Sequence, residues 1–76
     1  MDTIGRRVRH LRERRAWSQR DLAARAGVTL LTVFRVEHDQ FAHRPRPSTI
    51  RKLAEALGVD PGWLLFGDEG QGKVAA

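Results

Sequence analysis

Cysteine is missing altogether, which excludes disulfides and thiolate metal sites. In a chain of 76 residues that matters, because domains this small often depend on such cross-links. The remaining soft ligands are His10, His38 and His43, and their spacing matches no metal motif. No apolar run approaches the length of a membrane span. The charged first stretch lacks the apolar segment of a secretory signal. Strand-like alternation and internal repeats are absent too. No histidine has a carboxylate or nucleophile at useful spacing, and the carboxylates are scattered over helix ends and caps. The chain is therefore expected to be a soluble, cytoplasmic, non-enzymatic protein without cofactor or metal. Its stability must come from one core of packed helices, helped by self-association.

What is present in excess is positive charge, and it is unevenly placed. The first 52 residues carry 13 Lys and Arg against 5 Asp and Glu, a net of +8. The last 24 carry 1 against 4, a net of −3. A basic body with an acidic end suggests one face for a polyanion and another turned away from it. Charge alone leaves two readings open, a nucleic-acid face and a solvated Arg-rich surface.

Apolar spacing predicts five short helices. The first runs from Thr3 to about Ala16, with Ile4, Val8 and Leu11 on one stripe and Asp2 or Thr3 as cap. Arg6, Arg7, Arg9, Arg14 and Arg15 fall on its other faces, and Gly5 is a mild cost within it. The second starts at Ser18, which forms a capping box with Asp21, and buries Leu22, Ala23 and Ala26. Gly27 ends it in a left-handed conformation. Thr29 caps the third, whose buried pair is Val33 and Val36. Leu30, Leu31, Thr32, Phe34 and Arg35 are left for other faces, and of the two leucines at most one can turn inward. Two helices joined by a turn as short as Gly27–Val28 cross steeply, as in a helix-turn-helix. A loop over 38–47 follows, in which Pro45 and Pro47 forbid continuous helix. The fourth helix is expected to take Ser48 as cap and to bury Ile50, Leu53, Ala54 and Leu57, with Gly58 as its stop. The fifth has Asp60 as cap and Pro61 first, then Trp63, Leu64, Leu65 and Phe66, stopped by Gly67. One domain over 1–67 and a mobile polar tail over 68–76 are expected.

The order Ser18-Gln19-x-x-Leu22-Ala23-x-x-Ala26-Gly27-Val28-Thr29, then Thr32-Val33-x-Arg35-Val36-Glu37, resembles the Cro/repressor (XRE-type) helix-turn-helix family. The stretches from Pro47 to Asp60 and from Trp63 to Gly67 extend the likeness to lambdoid phage repressor domains, over nearly everything from Ile4 to Gly67. The resemblance implies an all-α, five-helix, lambda-repressor-like domain of prokaryotic or phage origin. It implies DNA contact by Ser18, Gln19, Thr29, Leu30, Leu31, Thr32, Phe34, Arg35, Arg44 and Arg46. Gln19 would grip a phosphate at a helix start and prop the reading helix. Arg35 is the best candidate for guanine, and Arg44 and Arg46 for the backbone or a narrow minor groove. Arg12 and Glu37 would form an internal ion pair. For Arg6 and Arg9 a solvated charge is preferred over a phosphate contact.

Three features depart from the family pattern. Leu30 and Leu31 replace residues that are often polar, so an exposed leucine here would pack on thymine methyl groups. Phe34 stands where small or polar residues are common. Asp39 occupies the usual glycine position after the glutamate, and the loop is longer than usual, with Phe41 and His43 as candidates to close it. The implied function is a transcriptional regulator, a repressor by preference, that binds a two-fold symmetric operator. It would bind as a weak homodimer through 60–67, Phe66 above all, with Trp63 assigned to the core. The competing reading is an antitoxin-like or adaptor module whose main partner is a protein.

Overall fold

A computed structural model describes residues 2–68, and its helices are α1 (Ile4–Arg14), α2 (Gln19–Ala26), α3 (Leu30–Glu37), α4 (Pro47–Leu57) and α5 (Pro61–Phe66). The expected tail lies outside the described residues from position 69 onward. Its first residue, Asp68, accepts a hydrogen bond from the Trp63 indole at 3.2 Å. Among the described residues there is no strand. None of the helices is long and apolar enough to cross a membrane.

Each helix begins where a side chain accepts from its first amides or a proline removes one of them. Thr3, not Asp2, caps α1, its hydroxyl accepting from the Arg6 amide. Ser18 and Asp21 exchange both hydrogen bonds of a capping box at α2. Thr29 and Asp60 cap α3 and α5. At α4 the expectation of a Ser48 cap is corrected. The helix starts one residue earlier, with Pro47 in its first turn and Arg46 at the cap without a side-chain bond. The fixed φ of proline suits a first helical turn, and its missing N–H needs no partner there. Helix α1 also ends before Ala16. The Arg15 and Ala16 amides turn back onto the Arg12 and Glu13 carbonyls, and Ala16 takes φ 56°.

One core joins all five helices: Val8, Leu22, Ala23, Val33, Val36, Ile50, Leu53, Ala54, Leu57 and Leu64. Ile4, Leu11, Ala26 and Trp63 are half-buried against it. Helix α3 lies between α1 and α2, and α4 braces α2 and α5.

Two α1 residues depart from their expected roles. Arg7 was expected on an outer face but is 8% exposed. Its guanidinium donates to the Leu64 and Leu65 carbonyls of α5 and pairs with Asp2 at 3.0 Å. These are the carbonyls that a short helix leaves without intrahelical partners. Gly5 is a close-packing site. A Cβ there would stand 2.6 Å from both the Val36 and Glu37 carbonyl oxygens. Only glycine lets α1 approach the end of α3 this closely.

Candidate nucleic-acid interface

The outward face of α3 follows from what its inward face must do. Val33, Val36 and Glu37 are buried, so Leu31, Arg35 and His38 lie on the opposite side of a helix with about 3.6 residues per turn. Leu30 and Phe34 flank that side. Leu30 is 37% exposed, Leu31 53% and Phe34 40%, so both leucines face outward. Phe34 stacks against His38 with ring centroids 4.1 Å apart. The Thr29 hydroxyl accepts from the Thr32 amide and donates to the Thr32 hydroxyl at 2.9 Å, which fixes the first turn.

Behind this face sits a buried charge cluster. Arg12 donates to both Glu37 oxygens, Nε to Oε2 at 2.6 Å and Nη2 to Oε1 at 3.0 Å. A third Arg12 bond reaches the Trp17 carbonyl. Glu37 accepts a further bond from the Gln19 side-chain amide at 3.1 Å. The Glu37 side chain is 2% exposed and that of Arg12 12%. The hydrogen bond to Glu37 holds the Arg12 guanidinium above its usual pKa, against the opposing pull of burial. One carboxylate thus ties α1, the start of α2 and the end of α3. Gln19 stands at the first position of α2, beside Ser18, with its side chain turned to the end of α3. At the same helix start, bonds from the Ser18 backbone and then its side chain hold the Asp21 carboxyl below the ordinary carboxylate range.

The loop after α3 is anchored at its origin. Asp39 adopts φ 54°, the left-handed conformation that glycine favours. Its carboxylate accepts from the Thr3 hydroxyl at 2.8 Å and from the Gly5 amide at 2.9 Å. Those two bonds offset the local strain and account for an aspartate in place of glycine. A cleft of about 320 Å³ then opens between α3, the loop and the start of α4, lined by Thr32, Arg35, Gln40, Phe41, Arg46 and Thr49 among others. Arg35 and Arg46 therefore share one cleft wall system, and Phe41 forms part of it, whereas His43 is exposed. Arg44 lies elsewhere, its guanidinium 4.8 Å from the Phe66 ring centroid on α5. Phe66 is 48% exposed, and Trp63 is half-buried against the core.

Among the α1 cations, Arg9 pairs with Glu13 in solvent at 3.1 Å. Arg15 donates to the Leu57 carbonyl at the end of α4. Trp17 lies under the Arg25 guanidinium at 4.3 Å from its ring centroid, with Arg15 at 5.7 Å. The Arg9–Glu13 pair is an i, i+4 spacing within α1, whereas the Arg15 and Trp17 contacts are not readable from the sequence, because they depend on how other elements pack.

A helix-turn-helix family model matches residues 8–64, three quarters of the chain and all of α2 and α3. The chain belongs to the helix-turn-helix family. Within it, an uncharacterized HTH-type transcriptional regulator of Mycobacterium tuberculosis is 39% identical over 61 residues, 80% of this chain and 23% of that protein. The HTH-type transcriptional repressor RghR of Bacillus subtilis is 36% identical over 66 residues, 87% of this chain and 48% of RghR. The chain thus spans less than half the length of these curated relatives. Among solved structures, the P22 c2 repressor in complex with a synthetic operator superposes with a TM-score of 0.81 and 26% identity, covering 90% of this chain and all of that one. A hypothetical transcription factor from Neisseria superposes at 0.76 with 31% identity, over 93% of this chain and 79% of that one. The five-helix architecture is that of repressor domains of this family.

Proposed function

We propose that this chain binds double-stranded DNA sequence-specifically, with α3 in the major groove, as a transcriptional regulator of the repressor type. The observation that carries the reading is the outward face of α3: Leu31 and Arg35 project from a helix fixed by buried contacts to α1 and α2. The likeness to a repressor solved with its operator supports the same orientation. Ser18 and Gln19 at the start of α2 and Thr29 at the start of α3 face phosphates with helix-end amides beside them. An amide nitrogen carries two hydrogens, so the bond from Gln19 to Glu37 occupies one and leaves the nitrogen able to donate to a phosphate. Leu30, Thr32 and Phe34 border the groove contact. Arg46 reaches the backbone from the shared cleft, and Arg44 follows the loop outward.

One reading helix covers few base pairs, so the chain acts as a homodimer on two half-sites about 34 Å apart. Phe66, exposed on α5, is the apolar anchor for that contact. The protein-binding reading draws on the same exposed leucines. It is the weaker one, because Arg35 stands on the same face of α3 as Leu31 and the surrounding chain is strongly basic. Selection of the full chain on a randomised duplex library tests the proposal. Enrichment of a two-fold symmetric motif is the expected result, and recovery of the input distribution would overturn it.

A further inference from the structure

The arginines of this chain divide by whether something already holds them. Arg7, Arg12 and Arg15 donate to carbonyls or to Glu37, and Arg9 pairs with Glu13. Arg25 and Arg44 lie over aromatic rings. Among the described residues, the guanidiniums of Arg35 and Arg46 have no such partner. Yet both line the same cleft of about 320 Å³ between α3, the loop and the start of α4. No carboxylate lines that cleft, so two positive charges stand uncompensated at one cavity.

The rest of the lining is apolar where a phosphate has nothing to bury. Val36 is buried at the floor, and half-buried Phe41 and Pro45 form a wall beside it. A phosphate presents charged oxygens, which gain nothing from an aromatic ring or a proline and lose water against them. Phe41 and Pro45 belong to the loop that is longer than the family pattern, so this wall is a property of this chain. Small-molecule pockets of about 300–1,000 Å³ combine an apolar lining with a few convergent polar groups. The cleft has that composition, with both of its charges of one sign.

We infer that this cleft binds a small organic dianion with a flat apolar body, of which an aromatic dicarboxylate is the simplest. Arg35 and Arg46 take the carboxylates, whose paired oxygens match the guanidinium fork. The body lies against Phe41 and Pro45 and over Val36. The consequence rests on the DNA-binding reading above. Arg35 and Arg46 are also the residues that reading assigns to bases and backbone, so the dianion and DNA compete for the same two cations. By linkage, each weakens the binding of the other, and the dianion releases the operator.

The probe is phthalate, titrated into the full chain without DNA at constant ionic strength and followed by amide chemical shifts. Benzoate, inorganic phosphate and neutral phthalamide are the comparisons. Phthalate should bind with a Kd on the order of millimolar and shift the Phe41, Arg46 and Thr49 amides most. Benzoate, which lacks one charge, and phosphate, which lacks the apolar body, should each bind about threefold more weakly or worse. Phthalamide should not bind. Arg46→Gln should weaken phthalate about tenfold. It should melt close to wild type, because Arg46 makes no side-chain bond at its cap. Phe41 lies outside the core, and Phe41→Ala should erase the preference for phthalate over phosphate. On a duplex obtained by selection, phthalate at about ten times its own Kd should raise the apparent operator Kd about tenfold, relative to sodium chloride of the same ionic strength. Equal binding of phthalate and phosphate by wild type would overturn the inference and leave a surface that merely attracts anions. Shifts confined to residues away from the cleft would overturn the placement. Phthalate bound in the cleft without effect on operator affinity would overturn the competition. Because the first titration contains no DNA, failure of wild type to select any duplex would remove the DNA reading and leave the anion site standing.

Discussion

At the scale of single residues, position in the structure separates cations that share a charge but not a task. Arg35 is exposed on α3, and Arg44 lies over Phe66 on the far end of the loop. Arg35→Ala should relax specificity at one base pair, at about 1–3 kcal/mol of discrimination. Arg44→Ala should weaken all sequences alike and reduce the salt slope by about one unit. Affinities of both variants on a randomised library at several salt concentrations check this, and equal loss of specificity from both would contradict it. Glu37 is the reverse case. Its carboxylate is buried and accepts from Arg12 and Gln19. Glu37→Ala strands the Arg12 guanidinium, a loss of about 3–5 kcal/mol. For a domain whose total stability is about 5–15 kcal/mol, that is a large share. Chemical denaturation should show it as a midpoint shift, and a shift below about 1 kcal/mol would mean the pair is not desolvated as described.

At the scale of elements, Gly5 shows two effects of opposite sign. Helix propensity alone favours alanine over glycine by about 1 kcal/mol. The Cβ of alanine would meet two backbone carbonyls at 2.6 Å, and backbone cannot give way as a flexible side chain does. Overpacking of this kind costs about 1–3 kcal/mol or more, so Gly5→Ala should lower the melting temperature. An unchanged or raised melting temperature would show that α1 and α3 are farther apart than described. The same residue shows where sequence reading stops. Caps at Ser18, Thr29 and Asp60 and the left-handed stops at Gly27 and Gly58 are local chemistry, and they are legible in the sequence. The buried stripes are legible for the same reason. Gly5, Arg7 and Asp39 are not, because their partners lie 31 to 58 residues away along the chain. Ser48 misleads because serine is a common cap, while Pro47 before it already opens the helix. For the candidate site, Val33 and Val36 indicate which face of α3 is outward. Exposure of both leucines, and the sharing of one cleft by Arg35 and Arg46, follow only from packing.

At the scale of the whole molecule, the proposed dimer surface is small. Phe66 is the single large exposed apolar residue on α5, and part of its face is covered by Arg44. Stable interfaces bury about 1,200–2,000 Å² in total, more than such a patch supplies. Sedimentation should therefore show a monomer at micromolar concentration and a dimer on an operator with two half-sites. A tight dimer at nanomolar concentration without DNA would contradict this. The ties around the end of α3 have a further consequence. Glu37 is held by Arg12, the Val36 and Glu37 carbonyls meet Gly5, and Asp39 binds Thr3 and Gly5. All of these partners lie in α1 or at its cap, before the helix-turn-helix begins. Helices α2 and α3 have eight residues each, too short to persist alone in water. A peptide excised over 18–37 would keep its caps, its turn and the Gln19–Glu37 bond, yet lose every contact to α1 that holds the far end of α3. The motif that defines the family is therefore not a portable module in this chain, and grafting it elsewhere requires carrying α1 along with it.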